Sequence, residues 1–397
     1  MEILEQILNP NEKRILLIVI DGLGGLPKDG KTELETANTP NLDNLAKESS
    51  LGLTVPVDIG VTPGSGPAHL ALFGYDPVKN YIGRGVLEAL GVGLDIGPDD
   101  LCVRANFATI SNGKITDRRA GRFSSTESQK ICTLLSTDIK SIKDVQITIK
   151  PGKEHRFVVV FRGPDLSPDV TESDPLRNDR PPISINPLTP EAEKTARIIN
   201  LFMEKVIEVI RWGKPANYVL LRGYARYPNL ASMLTLYKIK PAAIATYPMY
   251  KGIARLVGMK VLDCGDTWES EIQTLVKNYG TYDFYYMHFK ETDVKGEDGD
   301  FDGKVKLIEK FDALLPEILK HKFDALAITS DHSTPAILKG HSWHPNPFLL
   351  YSPYVRHDGV ETFSEKACAK GSLGLFPQTK VMPLLLANSL KLKKFGA

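Results

Sequence analysis

Two apolar runs constrain this chain more than any other feature. Ile15-Leu16-Leu17-Ile18-Val19-Ile20 runs straight into Asp21-Gly22, and near the other end Ala325-Leu326-Ala327-Ile328-Thr329-Ser330 runs into Asp331-His332-Ser333-Thr334-Pro335. Uninterrupted apolar runs of this length, the first of them β-branched, read as strands buried on both faces, the signature of a parallel sheet covered by helices. Open α/β sheets build their sites at the carboxyl ends of such strands. The pattern therefore predicts that Asp21, Asp331 and His332 are delivered to one sheet edge.

The rest of the chain divides around these runs. The spacing predicts a strand over 14–20, a loop over 21–38 and a helix announced by Asn38-Thr39-Pro40, with Thr39 as N-cap and proline at the first helical position. In the last third it predicts strands at 242–246, 282–288, 324–330 and 347–351, and helices at 249–257 and 302–320. That alternation implies a parallel sheet with right-handed crossovers. The middle differs. It carries β-type runs at Val145–Ile149 and Arg156–Phe161, a Pro- and Asp-rich loop from Gly163 to Pro190, a helix over Pro190–Trp212 and a strand over Asn217–Arg222. A chain of 397 residues is expected to hold two domains. The expected division is 1–80 with 230–397 as one α/β domain, a mostly parallel sheet flanked by helices, and 81–229 as a smaller inserted α+β cap.

Charge narrows the partners. With 49 basic and 48 acidic residues the net charge is +1, which leaves no overall field for nucleic acid or an anionic membrane. Small-molecule substrates are expected instead. The four cysteines, Cys102, Cys132, Cys264 and Cys368, form no Cys-x-x-Cys pair, so they read as reduced, buried thiols rather than a disulfide framework or thiolate zinc site. No apolar run approaches the ~20 residues of a membrane span, and Met1 to Arg14 is charged rather than signal-like. A cytoplasmic location is expected.

Asp, Glu and His supply donors for divalent cations, and several stand at predicted strand ends. Beside Asp21, Asp331 and His332 there are Asp293 after the 282–288 strand, Glu297 four residues later, and His341 before Pro345-Asn346-Pro347. Taken singly, a strand-end aspartate is often a helix cap and a histidine often structural. Ser65, in Thr62-Pro63-Gly64-Ser65-Gly66-Pro67-Ala68-His69, reads as an ordinary turn residue on local chemistry alone. Placed at the same sheet edge as Asp21 and Asp331-His332, it becomes a candidate nucleophile. His69 and His288 are read as intermediate cases, close to the site and either binding there or only orienting a ligand. Trp212 and the tyrosines are read as core and surface packing.

These segments resemble the cofactor-independent phosphoglycerate mutases, in the archaeal-type branch that also occurs in bacteria, within the alkaline phosphatase superfamily. The resembling motifs are Val19-Ile20-Asp21-Gly22-Leu23-Gly24, Thr39-Pro40-Asn41-Leu42-Asp43, Thr62 to Pro77, Asp117-Arg118-Arg119-Ala120-Gly121-Arg122, Leu221-Arg222-Gly223, Lys251-Gly252-Ile253-Ala254, and the Asp293, Asp331-His332 and His341 segments. The resemblance implies an alkaline-phosphatase-like fold and two divalent cations, manganese, zinc, cobalt or magnesium. One would be held by Asp21, Ser65, Asp331 and His332, the other by Asp293, His341 and the residue at 297. Members outside this branch usually carry histidine there; this chain has Glu297, so either it or the neighbouring His344 completes the set. The resemblance also implies that Asp117, Arg119, Arg122, His155 and Arg222 of the insertion, with Lys251, bind the substrate. Planar, bidentate arginines suit phosphate and carboxylate groups. On local chemistry Arg118, Arg119 and Arg122 also fit a solvated charged loop, and Arg177 and Arg180 are read as bland.

The implied reaction is the interconversion of 3-phosphoglycerate and 2-phosphoglycerate through a phosphoserine on Ser65, with no bisphosphoglycerate required and with the insertion closing to exclude water. A metal-dependent phosphatase or another phosphosugar mutase of the same superfamily is the alternative. A dinucleotide-binding dehydrogenase fails at Pro27, where Gly22-Leu23-Gly24-Gly25-Leu26-Pro27 lacks the third glycine. A non-catalytic phosphoglycerate-binding protein would explain the arginines and leave Asp331-His332 beside Ser65 without a reason.

Overall fold

The computed structural model of the chain describes residues 2–80 and 82–396; Met1, Ala397 and Tyr81, the expected first residue of the insertion, lie outside the described residues. The chain forms two compact units, Met1–Tyr81 with Leu230–Ala397, and Ile82–Asn229.

The first unit is built on an eight-stranded sheet. Its order from edge to edge is Lys260–Val261, Pro241–Ala245, Phe284–Phe289, Ile15–Ile20, Ala325–Thr329, Asn346–Tyr351, Ser49–Val55 and Gly374–Pro377. Ile15–Ile20 is central and all six of its residues are buried, which is why it reads as an unbroken apolar run. It pairs in parallel with Phe284–Phe289 and with Ala325–Thr329. The registers Ile20↔Phe289 and Val19↔Thr329 bring Asp21, Lys290 and Ser330-Asp331 out at the same carboxyl edge. Helices Pro40–Lys47, Trp268–Asn278 and Phe301–Leu319 bury apolar faces, among them Leu42, Leu45, Ile272, Leu275, Ile308 and Phe311, in one core with Ile18 and Met287.

One local expectation is corrected, one strand is unexpected, and one cap differs in detail. Asn346–Tyr351 runs antiparallel to both of its neighbours, because the stretch after Asp331 returns as a loop without the crossover a parallel partner requires. The adjacent strand Ser49–Val55 has no counterpart in the sequence reading, since Ser-Ser-Leu-Gly-Leu-Thr-Val carries little β signal although the strand is almost wholly buried. Thr39 does precede Pro40 at a helix start, but its side chain makes no cap hydrogen bond.

The second unit has an antiparallel sheet whose long strand Asp100–Ser111 pairs with Arg156–Arg162 on one edge and Tyr218–Arg226 on the other. Helices Arg84–Gly91, Ser125–Asp138 and Glu193–Ile210 accompany it, the last preceded by a 3₁₀ turn at Pro190–Ala192. The helix at 125–138 has a reciprocal capping box between Ser124 and Glu127, a signal present in the sequence. Within the Gly163–Pro190 loop, Ser173 exchanges hydrogen bonds with Leu221, its N–H donating to the Leu221 carbonyl at 3.0 Å and its hydroxyl accepting from the Leu221 N–H at 2.8 Å.

All four cysteines are free and buried. Among the described residues no helix is long and apolar enough to cross a membrane.

Glu271, on the Trp268–Asn278 helix, is buried in the first unit. Burial, reinforced by the Glu291 charge and opposed by Lys251, pushes its carboxyl up to about 9. Between the unfolded value near 4.5 and about 9 the folded state holds a proton the unfolded state has lost, so stability from this group is complete below 4.5 and falls as pH rises. Glu271→Gln is expected to be neutral at pH 4.5 and to stabilise by about 1–3 kcal/mol at pH 8.5. Thermal unfolding in chelator across this range checks it; a gain independent of pH would contradict the assignment.

Candidate functional site

Ser65 is the first residue of the helix Ser65–Leu72, with Gly64 as the extended N-cap. It thus stands at a helix N-terminus rather than inside a turn, where free N–H groups and the helix dipole favour an anion. Its Oγ lies 3.2 Å from His332 Nε2. His332 Nε2 is in turn 3.1 Å from Asp331 Oδ2 and 3.4 Å from Asp21 Oδ1. The ligand atoms of Asp21, Asp331 and His332 all lie within 4.8 Å of one another, and so do those of Asp293, His332 and His341.

Asn346, Gln378 and Tyr250, not identified from sequence, hold this edge together with the expected histidines. Asn346 Nδ2 donates to the Ser330 and Asp331 carbonyls at 3.1 and 2.9 Å. Gln378 Nε2 donates to the Ala68 and Asp331 carbonyls, tying the serine helix to the Asp331 strand end. His69 Nδ1 donates to the Ser65 carbonyl at 2.8 Å. His341 Nδ1 donates to the Pro63 carbonyl at 3.0 Å, which leaves its Nε2 facing Asp293 at 3.6 Å and Glu297 at 3.8 Å. His344 is directed elsewhere: Nδ1 meets Ser342 Oγ at 3.1 Å and its ring stacks on Trp343. Tyr250 is more than packing, since its hydroxyl donates to Asp21 Oδ2.

The electrostatics of this cluster are those of a cation site. Asp21, Asp293, Asp331 and His332 are all buried. Burial, with the Asp21 and Asp293 charges, drives the Asp331 carboxyl well above the carboxylate range. Burial also opposes ionisation of Asp21, yet Lys290, His288 and His332 hold its carboxyl well below that range. Lys290 Nζ lies 3.1 Å from Asp21 Oδ2 and donates to Asp293 Oδ2. Burial pushes His332 down to about 3, so the imidazole is neutral, as a ligand must be. Burial and Asp293 raise the Glu297 carboxyl. Asp21 Oδ1 and Asp331 Oδ2 are buried without a hydrogen-bond partner. Donors ~2.1 Å from a shared cation sit about 3.0–3.4 Å from one another, which is the spacing of His332 Nε2 from Ser65 Oγ, Asp331 Oδ2 and Asp21 Oδ1. The residues present fit divalent cations.

The second unit gathers a different set. Asp117 accepts from the Arg119 and Gly121 N–H groups at 2.8 and 2.7 Å, so both carboxylate oxygens organise the turn that carries the exposed Arg119 and Arg122. Arg118, for which a solvated loop is one of two readings from sequence, forms a bidentate pair with buried Asp174 at 2.7 Å for each bond, and Arg222 Nη1 reaches the same carboxylate at 3.3 Å. Arg104 escaped the sequence reading. It is buried in the Asp100–Ser111 strand and paired with Glu88 at 3.0 Å. Burial brings its guanidinium down to about 10; Glu88 opposes this, and the fields of Arg84, Arg156 and Arg222 add to it. Burial, with Arg156, Arg119 and Arg104 nearby, lowers His155 to about 4. The unit therefore concentrates positive charge around Arg104, His155 and Arg222. Lys251 belongs to the first unit, on the helix Pro248–Leu256, which packs against the serine helix.

A family model described as 2,3-bisphosphoglycerate-independent phosphoglycerate mutase matches residues 46–215. The chain is 52% identical to a probable 2,3-bisphosphoglycerate-independent phosphoglycerate mutase of Aquifex aeolicus, with 100% of both chains covered. Among solved structures it is similar to a cofactor-independent phosphoglycerate mutase from Thermoplasma acidophilum, at 32% identity and a TM-score of 0.74, covering 95% of this chain and 100% of that one. A Pyrococcus horikoshii protein is similar at 34% identity and a TM-score of 0.83, covering 97% and 99%.

The raised Asp331 carboxyl contributes stability at low pH that is lost as pH rises, unless a cation compensates its charge. Manganese at a hundred times its Kd is expected to stabilise the protein by about 2.7 kcal/mol. Asp331→Asn should exceed the parent in stability in chelator at pH 7.5 and lose most of the manganese gain. Equal manganese gains in the two proteins, measured by thermal shift, would contradict this.

Proposed function

Because the chain belongs to the 2,3-bisphosphoglycerate-independent phosphoglycerate mutases, we propose that it interconverts 3-phosphoglycerate and 2-phosphoglycerate through a phosphoserine on Ser65. The observation that carries this reading is the half-buried Ser65 hydroxyl at a helix N-terminus, 3.2 Å from His332 Nε2 and at the edge that presents Asp21 and Asp331.

Ser65 Oγ forms a bond to phosphorus as the bond from phosphorus to the glycerate 3-oxygen breaks. The leaving oxygen takes up a proton, matching the one the Ser65 hydroxyl gives up. Glycerate then turns, its 2-oxygen attacks the phosphoserine, and Ser65 Oγ is released with a proton equivalent to that lost by the 2-hydroxyl. Each half-reaction conserves atoms and charge, so no bisphosphoglycerate is needed.

Asp21, Ser65, Asp331 and His332 are assigned to one divalent cation and Asp293, His341 and Glu297 to the other, and the oxygen and imidazole donors suit manganese, zinc, cobalt or magnesium. When bound, such ions stabilise a serine alkoxide and offset charge on the transferring oxygens. The nearness of Glu297 to His341, and the turn of His344 toward Ser342, support Glu297 as the completing donor. His69 fixes the Ser65 carbonyl and Tyr250 fixes Asp21, so both groups of the nucleophile centre are oriented by this chain's own hydrogen bonds.

The second unit is assigned substrate binding. Arg119, Arg122, Arg222 and His155 supply donors for carboxylate and phosphate, Asp117 shapes the turn that bears two of them, and Arg104 adds charge beneath. Lys251 is assigned to the phosphate from the first unit.

An enolase-coupled assay on 3-phosphoglycerate without bisphosphoglycerate tests the reading. Activity is expected to be abolished by chelator and restored by manganese, and Ser65→Ala is expected to lose at least about 10³-fold in kcat. Release of inorganic phosphate in place of 2-phosphoglycerate would mark a phosphatase instead. Arg222→Gln should raise KM roughly 10- to 100-fold while leaving manganese binding unchanged; an unaltered KM would remove Arg222 from the substrate site.

A further inference from the structure

Thr334 is the point where three segments of the site meet. Its Oγ1 is 3.0 Å from His332 Nδ1 and 2.7 Å from Asp293 Oδ1. Its N–H faces the Gly22 and Gly24 carbonyls at 3.3 and 3.1 Å. Its carbonyl accepts from Lys304 Nζ at 2.9 Å, and the same ammonium donates to the Gly24 carbonyl at 3.1 Å. Lys304 is fully buried, with Glu33 Oε1 3.8 Å away. The approach is close enough to dictate two glycines. A Cβ on Gly22, which has φ +66°, would stand 2.7 Å from Thr334 Oγ1, and one on Gly296 would stand 2.2 Å from the Thr334 carbonyl oxygen.

The hydroxyl has one proton, and the direction of its two hydrogen bonds follows by elimination. The Asp293 carboxylate only accepts, and Lys290 already donates to its other oxygen. Thr334 must therefore donate to Asp293 and accept from His332. A ligating imidazole is neutral and carries one N–H, so that N–H is on Nδ1 and Nε2 presents a lone pair toward Ser65, Asp21 and Asp331.

We propose that Thr334 is a positioning residue that locks His332 in its Nδ1–H tautomer and couples it to Asp293, so that groups assigned to different cations share one hydrogen-bond chain. This rests on the cation-ligand reading of His332 and Asp293. Partners that orient a ligating histidine are worth about 10- to 100-fold in metal affinity.

Thr334→Val keeps the shape and removes the hydroxyl; Thr334→Ser keeps the hydroxyl. Two measurements apply to the full chain: long-range proton–nitrogen correlation of ¹⁵N-labelled histidines in chelator, and manganese titration by electron paramagnetic resonance. Wild type and Thr334→Ser are expected to show the Nδ1–H tautomer at His332 and equal affinity. Thr334→Val is expected to show mixed tautomers and manganese affinity weakened about 10- to 100-fold, with unchanged circular dichroism. An Nε2–H tautomer in the wild type overturns the proposal even if the valine variant does not fold. A folded valine variant with unaltered tautomer and affinity overturns it as well. Wild-type protein that binds no manganese would instead sink the cation reading beneath it.

Discussion

Three carboxylates, Asp21, Asp293 and Asp331, are buried at neighbouring strand and helix ends, and their mutual repulsion is the constraint around which the rest is arranged. Left in a low-dielectric interior they could not all ionise. The fold meets this with Lys290 between Asp21 and Asp293 and with neutral imidazoles from His69, His288 and His332 on the remaining sides. Backbone and amide donors such as the Gly22 N–H, which faces Asp331 Oδ1 at 3.3 Å, do the rest. The central strand is buried on both faces, so it cannot move to relieve the repulsion without breaking two parallel ladders at once.

The two units differ in the type of charge they collect. The first collects acids and imidazoles at the carboxyl edge of a mostly parallel sheet, and the second collects guanidinium groups on an antiparallel one. Each collection needs internal support. In the second unit that support is Asp174, buried yet bonded to both Arg118 and Arg222, so that the long irregular loop from Gly163 is anchored through the groups it helps to aim. Burial pushes the Asp174 carboxyl up, but the hydrogen bonds from Arg118 and from the Leu176 N–H outweigh it and hold the group ionised.

How much of this was legible in the sequence depended on range. The strand Ile15–Ile20 and the strand Ala325–Thr329 announce themselves because a doubly buried strand has no polar face to break the run. Asp21, Asp331 and His332 follow from being next in line. By contrast, the Ser49–Val55 strand opens on two serines and carries a glycine, and its long-range partners Asn346–Tyr351 and Gly374–Pro377 make it a strand. Tyr250, Thr334 and Asp174 act on partners 41 to 229 positions away along the chain, and nothing in their local sequence marks the contact. Arg104 did leave a trace, an arginine inside Leu101-Cys102-Val103-Arg104-Ala105-Asn106-Phe107, a run that is otherwise a buried strand. A charge in such a position is costly unless it is paired, which is itself a signal of function or of a partner such as Glu88.

Glu297 shows how one unusual residue is absorbed. It sits four positions after Asp293 on the same helix face, and a carboxylate there adds a fourth negative charge to Asp21, Asp293 and Asp331. With Lys290 the sum is −4 + 1 = −3, and two divalent ions (+4) would bring it to +1. An imidazole at 297 together with Lys290 would leave the same pocket at +2. The lysine and the glutamate thus offset one another, and the field of Lys290 reaches position 297, where it lowers the Glu297 carboxyl that burial and Asp293 raise. If Ser65 carries the phosphoryl group as proposed, a residual charge near +1 would suit holding it and then releasing it to a second hydroxyl, because a more positive pocket would bind the phosphoserine too tightly to give it up.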